Sequence, residues 1–139
     1  MFVAMKLVLR SIGVLAAISV ILTAIFIIRF GARGLHALAA TGTFGVITVL
    51  GWLVTFVAGP IAAVQLIRVR NSGRRAALAL FGSIFAYYVT GLFVYRQPDA
   101  PRTPIVWFCI LLSVVIGVLL SSPARRTCIG VAALAELST

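Results

Sequence analysis

Four apolar runs without a formal charge, separated by short stretches that hold the basic residues, set the rhythm of this chain. The first runs from Ser11 to Ile28, the second from Thr43 to Ile67, the third from Ala76 to Tyr95 and the fourth from Pro104 to about Leu120. A helix needs about 20 residues to cross a hydrocarbon layer roughly 30 Å thick, so each run predicts one transmembrane helix. The pattern therefore predicts an all-α polytopic membrane protein. It forms one membrane domain over 1–139, a four-helix bundle with spans at 11–28, 43–67, 76–95 and 104–120 and a tail over 121–139.

The connections carry their own signals. A basic start before an apolar run also describes a signal peptide, but Arg29 and Arg33 stand between the run and the small residues Ala37 to Ala39, which favours an uncleaved anchor. Within the second run, Gly59 precedes Pro60, and a proline inside a helix removes a backbone donor, so a kink or slight break is expected there. Arg68-Val69-Arg70-Asn71-Ser72-Gly73-Arg74-Arg75 reads as a tight basic hairpin in which Asn-Ser-Gly makes the turn. Three prolines between Arg96 and Pro104 make a compact loop, with Thr103-Pro104 as the N-cap and first position of the fourth helix. Trp107 then sits at headgroup level. The tail after Ser121-Ser122-Pro123 is too short to span and is either an interfacial helix or disordered.

Composition agrees with this pattern. The chain has 139 residues, of which 63% are hydrophobic and 10% charged, too little polar surface to cover a soluble globule. Twelve basic residues against Asp99 and Glu136 give a net charge of +10. They stand at the ends of apolar runs, as topology determinants do, so they do not point to nucleic acid. Sorting them by side gives eight against four, with Lys6, Arg10, the hairpin and Arg125-Arg126 together. The positive-inside rule then predicts an N-in/C-in protein of an inner, plasma membrane. Arg68, Arg70, Arg74 and Arg75 are candidate contacts for anionic lipid headgroups.

Reactive chemistry is hard to find. None of the four runs contains an ionisable acid or base, which weighs against proton-coupled exchange through a membrane carboxylate. His36 is the sole histidine, Cys109 and Cys128 share no CxxC spacing, and the two acids are far apart. No catalytic, cofactor or metal site is therefore expected. Tyr87 and Tyr88 lie inside the third run, and a buried tyrosine hydroxyl needs a partner such as Thr48 or Thr55. With Gly59 and Pro60 they are the candidates for a solute path.

Two segments carry a resemblance. LIRVRNSGRRAALALFGSIFAYYVTGLF, Leu66 to Phe93, and VLLSSPARR, Val118 to Arg126, resemble the basic hairpin and the closing span of a set of small, functionally uncharacterised bacterial four-helix membrane proteins. The resemblance implies fold and location and no activity. The expected function is that of a non-enzymatic bundle acting as an accessory, structural or self-associating membrane subunit, whose partners are lipids and a second copy or a larger complex. The alternative is a small dimeric transporter or channel for a neutral or anionic solute, with Arg29, Arg33, Arg96 and Arg102 as a positive outer rim.

Overall fold

Uninterrupted apolar runs satisfy their backbone groups most simply as helices, because hydrocarbon offers no other hydrogen-bond partner. The computed structural model describes residues 2–39, 42–94 and 102–136, and the side chains of all of these except 2, 30–39, 44, 94, 102 and 131–136. Of the loop expected between the third and fourth spans, residues 96–101 lie outside the described residues, whereas Arg102, Thr103 and Pro104 already belong to the fourth helix, so Thr103 is not its N-cap. The side chains of Arg33, His36, Arg96, Asp99, Arg102 and Glu136 also lie outside the described set. The described chain folds into five helices: α1 Phe2–Ala39, α2 Thr43–Ile67, α3 Asn71–Val94, α4 Arg102–Leu120 and α5 Ser122–Glu136. The first four are long and apolar enough to cross a membrane. The protein is an all-α bundle of four candidate spans.

The helix boundaries differ from the apolar runs where charge was treated as a stop. α1 has 38 residues, roughly 57 Å at 1.5 Å per residue, and it includes Lys6 and Arg10. Neither residue breaks a helix, and long basic side chains reach water from inside the first turns. α2 also runs unbroken through Pro60, so of the kink or slight break expected at Gly59-Pro60 the break is absent. Pro60 is exposed, and Gly59 is buried where a Cβ would strike the side chain of Val20. The missing hydrogen bond is thus confined to one site on a helix held by its neighbour α1.

The basic hairpin is built differently from its sequence signals. Arg70 N donates to Gln65 O at 2.8 Å and Val69 N to Leu66 O at 2.9 Å, the paired bonds of a Schellman motif closing α2. The left-handed residue of that motif is Val69, at φ 54°, and not the glycine that turn chemistry favours. A β-branched residue in this region is strained. Here the side chain is 2% exposed within the core, so burial offsets part of the strain. Gly73, expected in the turn, is instead in the first turn of α3. A Cβ there would lie 2.5 Å from Leu66 N and 2.6 Å from the carbonyl carbon of Gln65. Its role is close backbone approach between α2 and α3.

α2 packs along both α1 and α3, α4 packs on α3, and α5 touches α1, α3 and α4. Among the described residues the four spans form an arc in which α1 and α4 have no sustained contact, while α5 crosses one end as a base. The buried core fills the base half: Leu9, Ile12 and Ala16 of α1 meet Ala62, Ala63 and Leu66 of α2, Ala77, Leu80 and Phe81 of α3, and Leu112 and Leu119 of α4. α5 adds Ala124 and Cys128.

Substituting Gly73 by alanine drives a methyl into backbone that cannot yield. We expect a loss of about 1–3 kcal/mol, measured by denaturant unfolding in mild detergent. Gly82→Ala, where nothing lies within 4 Å of the new Cβ, is the matched control and stays within experimental error of the parent.

Candidate functional site

Each span presents one inward stripe at coiled-coil spacing, and the chemistry of the stripe changes along the bundle. On α1, Leu9, Ile12 and Ala16 are followed on the same face by Ser19 and Thr23. On α2, the order runs from Thr48, Trp52 and Thr55 to Gly59, Ala62 and Leu66. The base half of the interior is therefore apolar and closely packed, whereas the far half carries hydroxyls and large rings. Large rings and hydroxyl groups do not interdigitate as alanine and leucine do, and a cavity of about 220 Å³ remains.

Ser19, Leu22 and Thr23 of α1 form one wall, and Thr48, Gly51, Trp52 and Thr55 of α2 form the next. α3 supplies Ser83, Ile84, Tyr87 and Tyr88, and α4 supplies Phe108. Thr48 and Thr55 are 4% and 3% exposed, so these hydroxyls belong to the interior and not to the lipid-facing surface. Tyr88 stands edge-on to Tyr87 at 5.4 Å between centroids and to Phe108 at 4.9 Å, which ties α3 to α4 at this level. Trp52 pairs edge-on with Phe26 at 6.2 Å. Leu22 and Phe108 are both lining residues and both exposed, which puts the open side of the cavity at the gap between α1 and α4.

Of the four candidate path residues, Tyr87 and Tyr88 line this cavity, together with Thr48 and Thr55. Gly59 and Pro60 do not: Gly59 packs on α1 and Pro60 faces outward. Ser19, Thr23, Ser83, Trp52 and Phe108 went unnoticed in the sequence as site residues. The i, i+4 spacing of Ser19 with Thr23 and the i, i+7 spacing of Thr48 with Thr55, in register with the small residues below them, is the signal that identifies that face.

The candidate headgroup residues also divide. Arg68, Arg70 and Arg75 are exposed at the base, beside the exposed Arg10, Arg125 and Arg126. Arg74 is half-buried and turned inward, where its Nε donates to Asn71 Oδ1 at 3.0 Å and its Nη1 to Leu119 O at 3.0 Å. The second bond has a clear cause. Leu119 O would pair with the backbone N–H four residues on, but that residue is Pro123, which has none. The guanidinium supplies the missing donor at the negative end of α4. Ser121 then caps α5: its Oγ donates to Val118 O at 2.6 Å and accepts from Ala124 N at 3.4 Å. So the Ser-Ser-Pro segment starts a helix, and the tail is helical over Ser122–Glu136. Cys128 is fully buried under this strap, and burial raises its thiol pKa above the ordinary value while the nearby Arg74 pulls it partly back. Cys128 is thus a packing residue held as the neutral thiol.

Among the described residues no group of three His, Cys, Asp or Glu converges. The chain matches no protein-family model, no curated protein and no solved structure.

If Arg74 serves Leu119 because Pro123 cannot, the two residues are coupled. Arg74→Ala is expected to cost about 1.5–3 kcal/mol, and the same change in a Pro123→Ala background, where residue 123 regains an N–H, to cost measurably less. A double-mutant cycle on unfolding free energies reads the difference, and strict additivity contradicts the assignment.

Proposed function

We propose that this chain is a non-enzymatic multi-pass membrane protein that works by contact inside the bilayer, as an accessory or self-associating subunit. The observation that carries the proposal is the open side of the arc. Among the described residues α1 and α4 leave a gap onto a cavity lined by Ser19, Thr23, Thr48, Thr55 and Ser83, small side chains that leave room for another helix to approach. A helix of a second copy or of a partner subunit seated along the gap covers it. Small and hydroxyl side chains suit such helix contacts.

The reading includes a direction and an address. We place the base, with Lys6, Arg10, the Arg68 to Arg75 hairpin and α5, on the cytoplasmic side of a bacterial inner membrane. The count of basic residues and the resemblance of Leu66 to Phe93 to small bacterial four-helix membrane proteins support this. Arg68, Arg70 and Arg75 then hold anionic headgroups, and Arg74 serves the fold.

A second reading, a small carrier or channel for a neutral solute, has its own support. Tyr87 and Tyr88 line a cavity in the interior of the spans, as residues on a path do. An anionic solute is the poorer fit, because none of the residues lining the cavity is basic.

Two measurements test the proposal. In a chain with both natural cysteines replaced by alanine, Leu22→Cys at the gap (61% exposed in the parent) is expected to form an oxidative crosslink to a second copy or a partner in native membranes. Leu53→Cys on α2 (56% exposed) should not, and equal crosslinking at the two positions removes the case for a seam at the gap. For orientation, replacing Arg68, Arg70 and Arg75 by glutamine reduces the base to five basic residues against four on the other side. A reporter fused after Thr139 should shift from wholly cytoplasmic to a mixture of both sides, and unchanged orientation counts against the charge argument.

A further inference from the structure

The cavity in the far half has a definite hydrogen-bonding character. Four of its hydroxyls direct their protons away from it, onto carbonyls of their own helices. Ser19 donates to Leu15 O at 2.9 Å, Thr23 to Ser19 O at 2.8 Å, Thr55 to Gly51 O at 2.8 Å and Ser83 to Leu80 O at 2.8 Å. A hydroxyl whose proton is engaged still has lone pairs, so these four act toward an occupant as acceptors. The Trp52 indole N–H and the Tyr88 hydroxyl are the complementary donors of the lining.

Shape and charge narrow the occupant further. The rings of Trp52, Tyr87, Tyr88 and Phe108 surround the space with flat apolar surface, which favours a planar body. No lining residue carries a formal charge, so an anion meets lone pairs and a cation meets no counter-charge, and either is costly inside a membrane. The volume of about 220 Å³ exceeds the roughly 150 Å³ of a cavity that accepts benzene. It suits one ring with one or two substituents.

We propose that this cavity is a binding site for an uncharged, ring-sized molecule bearing a hydroxyl, a phenol-class solute that donates to the Ser and Thr oxygens and accepts from Trp52 or Tyr88. The inference rests on the solute reading of the cavity and is independent of any partner along the gap. A failed Leu22 crosslink leaves it standing, and its own failure leaves the contact reading in place.

The test is ligand-observed fluorine NMR on the full chain in phosphatidylcholine nanodiscs, with empty nanodiscs subtracted to remove bilayer partition. The probes are 4-fluorophenol, its donor-less analogue 4-fluoroanisole, and 4-fluorobenzoate. Saturable binding of 4-fluorophenol at least tenfold tighter than either comparator is expected. Two variants locate the site. Thr55→Val removes an acceptor at nearly constant shape and weakens 4-fluorophenol several-fold. Gly51→Leu starts from a Cβ position with nothing within 4 Å and extends a side chain into the cavity, and it is expected to abolish binding while the helical circular dichroism is retained. Equal affinity for 4-fluoroanisole, preference for 4-fluorobenzoate, absence of saturable binding, or binding that survives Gly51→Leu in a folded protein each overturns the proposal.

Discussion

The close approach of α2 and α3 at the base is the constraint on which the remaining architecture depends. Gly73 allows the first turn of α3 to meet the backbone of Gln65 and Leu66, and the Schellman turn at Val69 directs the chain into that contact within three residues. Two helices this close at one end bring Ala62, Leu66, Ala77 and Leu80 into one buried cluster. α1 joins the same layer through Gly13, where a Cβ would lie 3.1 Å from Leu66 Cβ and 3.2 Å from Ala63 O. In hydrocarbon, where helices gain nothing by hiding apolar surface from lipid, such backbone proximity and dense van der Waals contact are what favour association.

Away from that base the interior changes character. Alanine, leucine and glycine at the contact positions give way to tyrosine, tryptophan and hydroxyl residues on the same helix faces, and the cavity lies among them. Among the described residues α4 packs on α3 and α5 and has no sustained contact with α1 or α2. It is held at two levels, by the Tyr88 to Phe108 ring contact in the far half and by Arg74 on Leu119 O at the base. An arginine that looks from its neighbours like another headgroup contact is in fact a helix cap, required by the proline two residues into α5.

The sequence alone was informative wherever solvent dictates structure. Four spans, their order, and an α-helical class follow from apolar run length, since the cost of an unpaired backbone group in lipid leaves few alternatives. Local chemistry was less reliable. Asn-Ser-Gly carries the stronger turn signals, yet Val69 adopts the left-handed conformation, because a buried valine and a glycine at the helix contact together satisfy packing better than the reverse. Gly59-Pro60 suggested a kink or a slight break, and the helix continues without a break because only one hydrogen bond is at stake and Gly59 packs on Val20 of α1.

Membership of the cavity was the least legible feature. Lipid and protein interior are both apolar, so hydropathy places a residue along the membrane normal but says little about the direction it faces around its helix. Tyr87 and Tyr88 stand out in the sequence as polar residues within a span, whereas Ser19, Thr23 and Ser83 taken singly match the small residues common in membrane helices. What the sequence determined by itself was the solvent, the number of crossings and the positions of the charges, each set by the cost of moving polar groups into hydrocarbon. Only the tertiary structure decided which faces meet, because that depends on the rotation and tilt fixed by a few close contacts, Gly73 on α2 above all. Those contacts turn five scattered hydroxyl residues and four rings toward one another.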